Sequence, residues 1–374
     1  MYTRALESLL PWQRETTHDD RAHDRVYREF GWGIFGSAMS ALADTTYVLP
    51  IRHTEIAAGD DLPAYLASLI RIVPVVIVDG SPPNIFAEHA LRWPRGIVHI
   101  PVDADRRDDL NGKVAGVVTG LRRVRTPKAI VADEDVRYDR FTLRAVASLL
   151  DGAGVVRPQN VFDPLPWHAL LDSGRTLIAR ATGGDWPGTL GLRLDAFARA
   201  GNEYDGNVLF ENLELVRTLR AGGAREILAD DVFVARRPPT GRHYAAQRIR
   251  QAYDEFARPH RLAAQLAIGP CVALAANRFG IGAIAASILA SIALAEAGRR
   301  RGSGRRAFPP QAAVLAPVWV AERAVTAWIA LGLRFVHGGV RYSRGTLRTA
   351  ANPHSRLRAR LDARRALTLE AVAQ

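Results

Sequence analysis

A short apolar segment that ends in three consecutive acidic residues constrains the fold of this chain more than any other feature. Residues 129–132 form the apolar run, and Asp133, Glu134 and Asp135 follow it directly. The run has the length and composition of a strand buried in a parallel sheet. Because ligands of open α/β sheets gather at the carboxyl ends of the strands, we expect these acidic side chains to lie where a ligand binds.

Three neighbouring carboxylates are unfavourable at the end of a buried strand, because like charges repel and burial disfavours each charged form. A divalent cation would offset this cost. Mg²⁺ and Mn²⁺ prefer carboxylate oxygens and keep coordination positions open for phosphate oxygens. We therefore predict that Asp133 and Asp135 hold Mg²⁺ or Mn²⁺ together with a nucleotide diphosphate. The alternative interpretation is a solvated acidic turn that closes the strand.

Strand and helix patterns alternate on both sides of this segment. The predicted strands cover residues 47–52, 73–78, 96–100 and 129–132, and the predicted helices cover residues 61–71, 88–92 and 110–122. This alternation is typical of a parallel sheet with crossover helices. We therefore predict an α/β fold with a mostly parallel sheet flanked by helices. Residues 154–158 are predicted to form a strand that leaves the parallel pattern, residues 182–188 a loop, and residues 192–200 a short helix.

Two long segments after the α/β region are uncharged. Residues 262–276 and 279–295 contain no acidic or basic side chain, and about 20 apolar residues cross a bilayer core. We predict a membrane hairpin over residues 262–297, with a single kinked span as the alternative.

A third apolar segment carries charges. Residues 311–335 contain Glu322 and Arg323 near their middle, and charges at mid-bilayer are unfavourable, which favours an interfacial helix over a third span. The alternative for all the C-terminal apolar helices is a buried helical subdomain of a water-soluble protein.

The net charge of +12 comes from the C-terminal part of the chain. Residues 298–374 contain 15 arginines and three acidic residues, and the rest of the chain is neutral. This asymmetry predicts an anionic partner, and the absence of interleaved aromatic residues favours a membrane over nucleic acid. The arginine cluster at residues 299–306 favours the cytoplasm, and a hairpin would place the N-terminal domain on the same side. A disordered basic tail is the alternative for residues 356–365.

These patterns divide the chain into four parts. They are an N-terminal helical or interfacial segment (residues 1–45), an α/β domain (46–258), membrane-associated helices (259–336) and an Arg-rich cytoplasmic tail (337–374). The single cysteine, Cys271, excludes an intramolecular disulfide and suits a reducing compartment.

Two charged side chains of the α/β domain lie where a nucleotide could bind. Asp79 ends a predicted strand, where it could hydrogen-bond a base or a ribose, and Lys113 begins a predicted helix, where it could meet a phosphate. The structural alternatives are a turn-forming aspartate before Gly80 and a surface lysine.

Further charged side chains suit the chemistry of such a nucleotide. Glu211 or Glu214 could take a proton from an acceptor hydroxyl, although acids in the first turn of a helix also suit its dipole. Arg248 and Arg250 could pair with a diphosphate leaving group, although a basic amphipathic helix on anionic lipid is an equally open interpretation.

Taken together, these motifs resemble the membrane-associated, family-2-type inverting glycosyltransferases of the GT-A fold, which include the ceramide glucosyltransferase and polysaccharide synthase groups. The resemblance covers residues 47–251, and residues 338–342 resemble the segment that follows the membrane helices of such enzymes. It matches Asp79 to a nucleotide-binding aspartate, Lys113 to a Gly-Lys before a helix, Asp133 and Asp135 to the metal motif, and Gln247, Arg248 and Arg250 to a Gln-Arg-x-Arg motif.

Two residues depart from the pattern of this family. Asn212 stands where the family has the aspartate assigned as the base, and an amide cannot take a proton at neutral pH. Glu211 is therefore our first substitute and Glu214 our second. Gln251 stands in place of a tryptophan, which weakens the case for processive polymer synthesis.

The resemblance implies a single displacement with inversion of the sugar, in which the metal and the arginines stabilise the leaving diphosphate. The implied donor is a UDP- or GDP-linked sugar, and the implied acceptor is a lipid-linked or glycolipid molecule at the membrane. Trp167, His168, Asp185 and Trp186 are predicted to face the acceptor, since aromatic faces stack on sugars.

Two alternative functions remain open from the sequence. One is a nucleotidyltransferase acting on a sugar phosphate, although residues 52–56 after the first strand lack the glycine-rich basic loop of that class. The other is a non-enzymatic basic scaffold at the membrane surface, which leaves the acidic triplet unexplained.

Overall fold

The computed structural model describes residues 42–56, 60–342 and 345–373, with side chains described as far as residue 367. The predicted N-terminal segment, residues 1–45, lies outside the described residues except for its last four. These four residues lead into the first strand of the α/β domain.

Eight strands form one mixed sheet in the described part of the chain. They are β1 (Thr45–Ile51), β2 (Val75–Asp79), β3 (Val98–Pro101), β4 (Lys128–Ala132), β5 (Val136–Arg137), β6 (Val155–Phe162), β7 (Thr189–Arg193) and β8 (Glu226–Arg236). Their order is β3-β2-β1-β4-β7-β6-β8-β5. Strands β1 to β4 are parallel, as are β6 and β8. Within this sheet only β7 and β5 run against the rest, which confirms the prediction of a mostly parallel sheet.

The sequence prediction assigned the change of strand direction to the wrong strand, because β7 rather than β6 is antiparallel to its neighbours. Residues 154–158 were expected to leave the parallel pattern, but β6 runs in the direction of β4, because β7 is antiparallel to both. The middle of β7 is Gly191, where an added Cβ would lie 2.5 Å from Val146 Cγ1. A five-residue strand centred on glycine has a weak sequence signal, and its direction is set by its neighbours in the sheet.

Helices cover both faces of the sheet. They are α1 (Leu62–Leu69), α2 (Pro83–Arg92), α3 (Gly112–Arg123), α4 (Arg140–Leu149), α5 (Trp167–Ala181), α6 (Leu194–Arg199), α7 (Glu211–Ala221) and α8 (Gly241–Tyr253). Leu66 of α1 and Leu143 of α4 belong to the core on one face. Val117 of α3 and Leu215 of α7 belong to the core on the other. This layered arrangement, followed by apolar helices, confirms the predicted fold class.

Two long apolar helices, α9 (Pro259–Phe279) and α10 (Ile281–Arg300), follow the α/β domain and meet at Gly280. Together with residues 310–336 they are the helices of the described chain that are long and apolar enough to cross a membrane. In α9 and α10 only 11% of the most apolar window is buried within the protein. Large apolar side chains such as Phe279 and Ile281 are therefore exposed.

The C-terminal end of α10 is anchored to the α/β domain. The fully buried Arg180 of α5 donates hydrogen bonds to the carbonyl oxygens of Gly298 at 3.2 Å and Arg301 at 2.7 Å. Gly298 approaches α5 so closely that an added Cβ would lie 1.9 Å from the carbonyl oxygen of Leu177. Since α9 also begins at this domain, the helix pair starts and ends there.

The third apolar segment consists of α11 (Gly304–Ala307), α12 (Pro310–Val314) and α13 (Ala316–Val336). The two charged residues near the middle of α13, Glu322 and Arg323, face the protein. Glu322 Oε2 lies 3.4 Å from Arg248 Nε in α8, and the side chain of Arg323 is buried. Helix α13 thus turns these charges and its buried Trp319 towards the α/β domain, while residues 310–336 are also long and apolar enough to cross a membrane.

The C-terminal residues are integrated into the α/β domain, which differs from the predicted separate tail. Strands β9 (Val340–Tyr342) and β10 (Gly345–Leu347) form an antiparallel pair. The segment after them binds the chain before α7, where the amide of Phe210 donates to the carbonyl oxygen of Ala350 at 2.7 Å. The final helix, α14 (His354–Ala373), packs on α7 through Leu357 and Leu361.

We expect the contact of α3 with the sheet to be sensitive to a single methyl group. A Cβ added to Gly120 would lie 2.4 Å from Val48 Cγ1 and 3.2 Å from Val78 Cγ2. Gly120→Ala should therefore destabilise the fold by about 1–3 kcal/mol through overpacking, measured as a lower Tm in detergent. Gly112→Ala, on the same helix with no atom within 4 Å of the new Cβ, is the control. An equal Tm for both variants would contradict this packing.

Candidate functional site

A lysine joins two acidic residues from different elements of the domain. Lys113 Nζ lies 2.5 Å from Asp133 Oδ1 at the end of β4 and 2.7 Å from Glu211 Oε1 at the start of α7. Asn111 fixes the lysine, because its side chain accepts a hydrogen bond from the amide of Lys113 at 3.1 Å and donates to the carbonyl oxygen of Val208 at 2.8 Å. The start of α3 is thereby tied to the segment that leads to Glu211.

A second cation compensates the acidic triplet. Arg236, at the end of β8, donates from Nε to Asp135 Oδ2 at 2.9 Å, and its NH2 lies 3.5 Å from Asp133 Oδ2. The pairing of Val136 with Arg236 between β5 and β8 brings this arginine to the site. Gly188 permits the close packing, since a Cβ there would lie 2.7 Å from Asp133 Oδ2. The protein itself therefore supplies much of the positive charge that we had assigned to a metal alone.

The two predicted metal ligands still fit a divalent cation. Asp135 Oδ1 is buried and has no hydrogen-bond partner within the described chain, so it is an available ligand beside Asp133. No group of three or more His, Cys, Asp or Glu side chains with metal-site geometry occurs among the described residues. A site with few protein ligands suits Mg²⁺, which is held by one or two carboxylates together with waters and substrate phosphates.

Neighbouring charges determine the protonation states of Lys113 and Glu211. Burial alone would lower the pKa of Lys113, but Asp133 and Glu211 raise it above its usual value. Burial raises the pKa of Glu211, and the charges of Lys113 and Arg250 outweigh this and bring the pKa below its usual value. Glu211 is therefore a carboxylate at neutral pH and can accept a proton.

The other two candidates for the base have structural partners. Glu214 is buried, and its two carboxylate oxygens accept hydrogen bonds from the amide of Asn352 at 2.6 Å and from its Nδ2 at 2.8 Å. Burial raises the pKa of Glu214. Asn212 donates to the carbonyl oxygen of Pro187 at 2.9 Å. The structure thus brings only Glu211 of the three to Lys113.

The Gln-Arg-Ile-Arg segment of α8 sends its side chains to different places. Arg248 lies 2.9 Å from Asp172 of α5 and so joins α8 to the helix beneath it. Gln247 hydrogen-bonds His243 in the same helix. Arg250 lies against Tyr342, with 5.0 Å between the guanidinium carbon and the ring centroid. Burial lowers the pKa of Arg250, but Tyr342, Asp254, Glu211 and Asp133 raise it above its usual value. One of the two predicted guanidiniums therefore reaches the centre, and the other holds the helix.

Asp79 ends β2 as predicted, but its carboxylate is already engaged. Its Oδ1 accepts from the amide of Ser81 at 2.8 Å, and its Oδ2 accepts from His89 at 2.7 Å and His99 at 3.1 Å. Burial raises the pKa of Asp79, but hydrogen bonds from His99, Ser81 and His89 hold the pKa well below its usual range. Asp79 is therefore an anion whose free hydrogen-bonding capacity is small.

A chain of histidines links Asp79 to the acidic triplet. His53 Nδ1 lies 3.1 Å from His89 Nε2, and His53 Nε2 lies 2.7 Å from Glu134 Oε2. The ring of His89 stacks on Trp93, with 4.5 Å between the ring centroids. The sequence analysis missed these histidines because they come from a loop, a helix and a strand that only the fold brings together.

The four predicted acceptor-side residues lie at the start of α5 (Trp167 and His168) and in the loop before β7 (Asp185 and Trp186). Trp167 is exposed at the start of α5, and the neighbouring His168 is buried and contacts the carbonyl oxygen of Pro239 at 2.7 Å. Asp185 is buried and paired with Arg175 at 2.6 Å. Trp186 packs against Arg157, with 4.0 Å between the guanidinium carbon and the ring centroid; Trp167 alone among the four has a largely exposed side chain.

Three further residues at the centre were not found from the sequence. Arg236 follows a strand as part of an Arg-Arg pair, which was the one available signal. Asp254 follows α8, and its Oδ1 is buried without a hydrogen-bond partner in the described chain. Burial raises the pKa of Asp254 to about 7, with Arg250 acting in the opposite direction. Tyr342 lies beside Arg250, with 5.0 Å between the guanidinium carbon and the ring centroid.

No protein-family model and no curated protein matches this chain. Among solved structures, a mannosyltransferase of Pyrobaculum calidifontis, PcManGT, in complex with GDP-Man and Mn²⁺ is similar over 93% of this chain and 89% of its own, with 19% identity and a TM-score of 0.40. S. aureus TarS 1-349 in complex with UDP-GlcNAc is similar over 54% of this chain, with 12% identity and a TM-score of 0.35. The chain spans 60% of that TarS fragment. At this level of identity, both similarities concern the fold alone.

The ion pairs of Lys113 with Asp133 and Glu211 lead to a prediction about stability and pH. Lys113→Met should lower Tm at pH 7 by about 5–10 °C, because it leaves two buried carboxylates without their cation. The pKa of Glu211 lies below its usual 4.5, so the stabilisation is fully present above about pH 4.5 and is lost as the pH falls through the folded-state pKa. The difference in Tm between the wild type and Lys113→Met should therefore become smaller as the pH falls below about 4.5.

Tm measured from about pH 2.5 to pH 8 tests this dependence, because the loss is expected below about pH 4.5. The double variant Lys113→Met/Glu211→Gln removes one of the two uncompensated charges and should recover part of the loss at pH 7. A deficit that is the same at every pH would show that Lys113 acts through packing rather than charge.

Proposed function

We propose that this protein is a membrane-associated glycosyltransferase that moves a sugar from a nucleotide-diphosphate donor to a lipid-linked or glycolipid acceptor, with inversion. The observation that carries the proposal is the meeting of Asp133, Lys113 and Glu211 at the carboxyl end of β4, with the charge of Arg250 acting on Glu211. This arrangement combines a proton acceptor with cations that can stabilise a departing diphosphate. Ligands of open α/β sheets bind at this edge.

Mg²⁺ or Mn²⁺, held by Asp133 and Asp135, would act as a Lewis acid on the diphosphate oxygens. Lys113 and Arg236 hold the two carboxylates in place. Arg250, held against Tyr342, would pair with the phosphate groups of the donor. The base of the donor would then extend along the sheet edge towards Asp79 at the end of β2.

Glu211 would act as the general base. Its carboxylate is ionised at neutral pH, lies at the N-terminus of α7 and is held by Lys113 at 2.7 Å. A proton taken from the acceptor hydroxyl would make that oxygen the nucleophile that attacks the anomeric carbon opposite the leaving diphosphate. Glu214 and Asn212 would position α7 and the loop before β7, respectively, through their contacts with Asn352 and Pro187.

The membrane part of the proposal rests on exposed apolar surface. Helices α9 and α10 are 21 and 20 residues long and leave most of their apolar side chains uncovered. An apolar surface of this extent is unfavourable in water and suits a bilayer. The arginines at residues 299–306 lie at the end of α10 that contacts the α/β domain, so the positive-inside rule would place that domain in the cytoplasm.

Replacement of the proposed base tests the reaction. Glu211→Gln should lower turnover by about 10²–10⁴-fold, because general base catalysis is lost, while the Kd for the nucleoside diphosphate stays within a few-fold. The measurement is release of UDP or GDP from a panel of nucleotide sugars with membrane lipid extract as acceptor. Glu88→Gln, a surface change on α2, is the control, and full turnover by Glu211→Gln would exclude this role.

Replacement of a proposed metal ligand tests the donor site. We expect Mn²⁺ to raise the Tm of the wild type, and Asp135→Asn should abolish this rise. The same variant should reduce nucleotide-sugar turnover by at least about tenfold. The reason is that Asp135 Oδ1 is a buried carboxylate oxygen without a hydrogen-bond partner in the described chain. The same panel of UDP- and GDP-linked sugars, with and without Mn²⁺, identifies the donor. Turnover that is independent of both Mn²⁺ and Asp135 would contradict the metal assignment.

A further inference from the structure

A tyrosine from beyond the apolar helices lies at the charged centre. The guanidinium carbon of Arg250 is 5.0 Å from the ring centroid of Tyr342. The charges of Glu211, Lys113 and Asp133 also act on the phenol, although burial is the main cause of its raised pKa. The last residue of β9 therefore stands among groups that are contributed by α3, β4, α7 and α8.

The fold holds this tyrosine in place from several sides. Tyr342 pairs with Gly345 and Val340 pairs with Leu347 between β9 and β10. Val340 and Leu347 pack in one cluster with Tyr253 at the end of α8. The hydroxyl of Tyr253 donates to the carbonyl oxygen of Arg348 at 2.8 Å. The β9–β10 pair is thus fixed to the helix that carries Arg250.

The ring of Tyr342 contacts Arg250, which has no ion pair within the described residues. Within the described residues no carboxylate lies within 4.0 Å of its guanidinium group. Arg248, two residues earlier, is by contrast paired with Asp172 at 2.9 Å. An aromatic face attracts a guanidinium without neutralising it. Arg250 therefore keeps its charge for an incoming anion.

We propose that Tyr342 is a positioning residue of the donor site, which holds the Arg250 guanidinium towards the diphosphate of the nucleotide sugar. The segment that follows the apolar helices is then a part of the donor site rather than a tail. This inference rests on the proposed function, because it takes the diphosphate of the donor as the ligand of Arg250. The face of the aromatic ring makes the contact with the guanidinium group, and the hydroxyl group is not required for it.

Calorimetric binding of UDP and GDP to the full chain in detergent, with Mn²⁺, tests the inference. Tyr342→Leu should weaken binding of the preferred diphosphate by about tenfold, and Tyr342→Phe should bind within about twofold of the wild type. Binding of the corresponding nucleoside without phosphates should be unchanged by Tyr342→Leu. Arg341→Ala, which alters an exposed neighbour on the same strand, is the matched control.

A double-mutant cycle separates positioning from general structure. In an Arg250→Gln background, Tyr342→Leu should cause no further loss, because the ring acts through the guanidinium. Tyr342→Met is measured in parallel, so that a folding defect of one variant, seen as a lower Tm, does not decide the result. Unchanged diphosphate binding by Tyr342→Leu and Tyr342→Met, or an undiminished loss in the Arg250→Gln background, would overturn the inference and leave the proposed function intact. A wild-type protein that binds neither UDP nor GDP would overturn both.

Discussion

The ion pairs of Lys113 hold the candidate centre together. Its ammonium group lies within 2.7 Å of carboxylates from the end of β4 and the start of α7, so one side chain fixes the distance between the acidic triplet and the proposed base. The same contacts keep Glu211 ionised in a place where burial alone would favour its neutral form. Removal of this cation would change the position and the protonation of both acids together.

Charge compensation by the protein changes the role that a metal would have. From the sequence, a divalent cation was the evident way to offset three acids at the end of a buried strand. In the structure, Lys113 and Arg236 contact Asp133, and Arg236 contacts Asp135. Glu134 turns to His53 instead. The acidic residues are thus accommodated before any metal binds, and a metal would chiefly orient the diphosphate of the donor.

The sequence predicted the parts of the site that depend on local patterns. The strand before Asp133, the helix that carries Lys113 in its first turn and the apolar helices all have periodicity or composition that can be read directly. Arg236, Tyr342 and the histidines near Asp79 could not be found in this way. They reach the centre through the pairing of β5 with β8, through the β9–β10 pair and through contacts between distant elements. Such positions are fixed by tertiary structure. The Arg-Arg pair at Arg236 and the family-like segment that ends at Tyr342 are visible in the sequence, but they do not show which groups these side chains contact.

Division of the chain by composition also hides a structural dependence. The change to apolar residues after residue 258 suggests that the α/β domain ends there, yet Tyr342 and Asn352 return to contact Arg250 and Glu214. Helix α13 is joined to α8 through Glu322 and Arg248, and α8 carries Arg250. The helices that would bind the membrane are therefore connected to the proposed donor site from both sides. Since the same helices would meet a lipid acceptor, attachment to a bilayer would act on the geometry of the charged centre through one continuous packing arrangement.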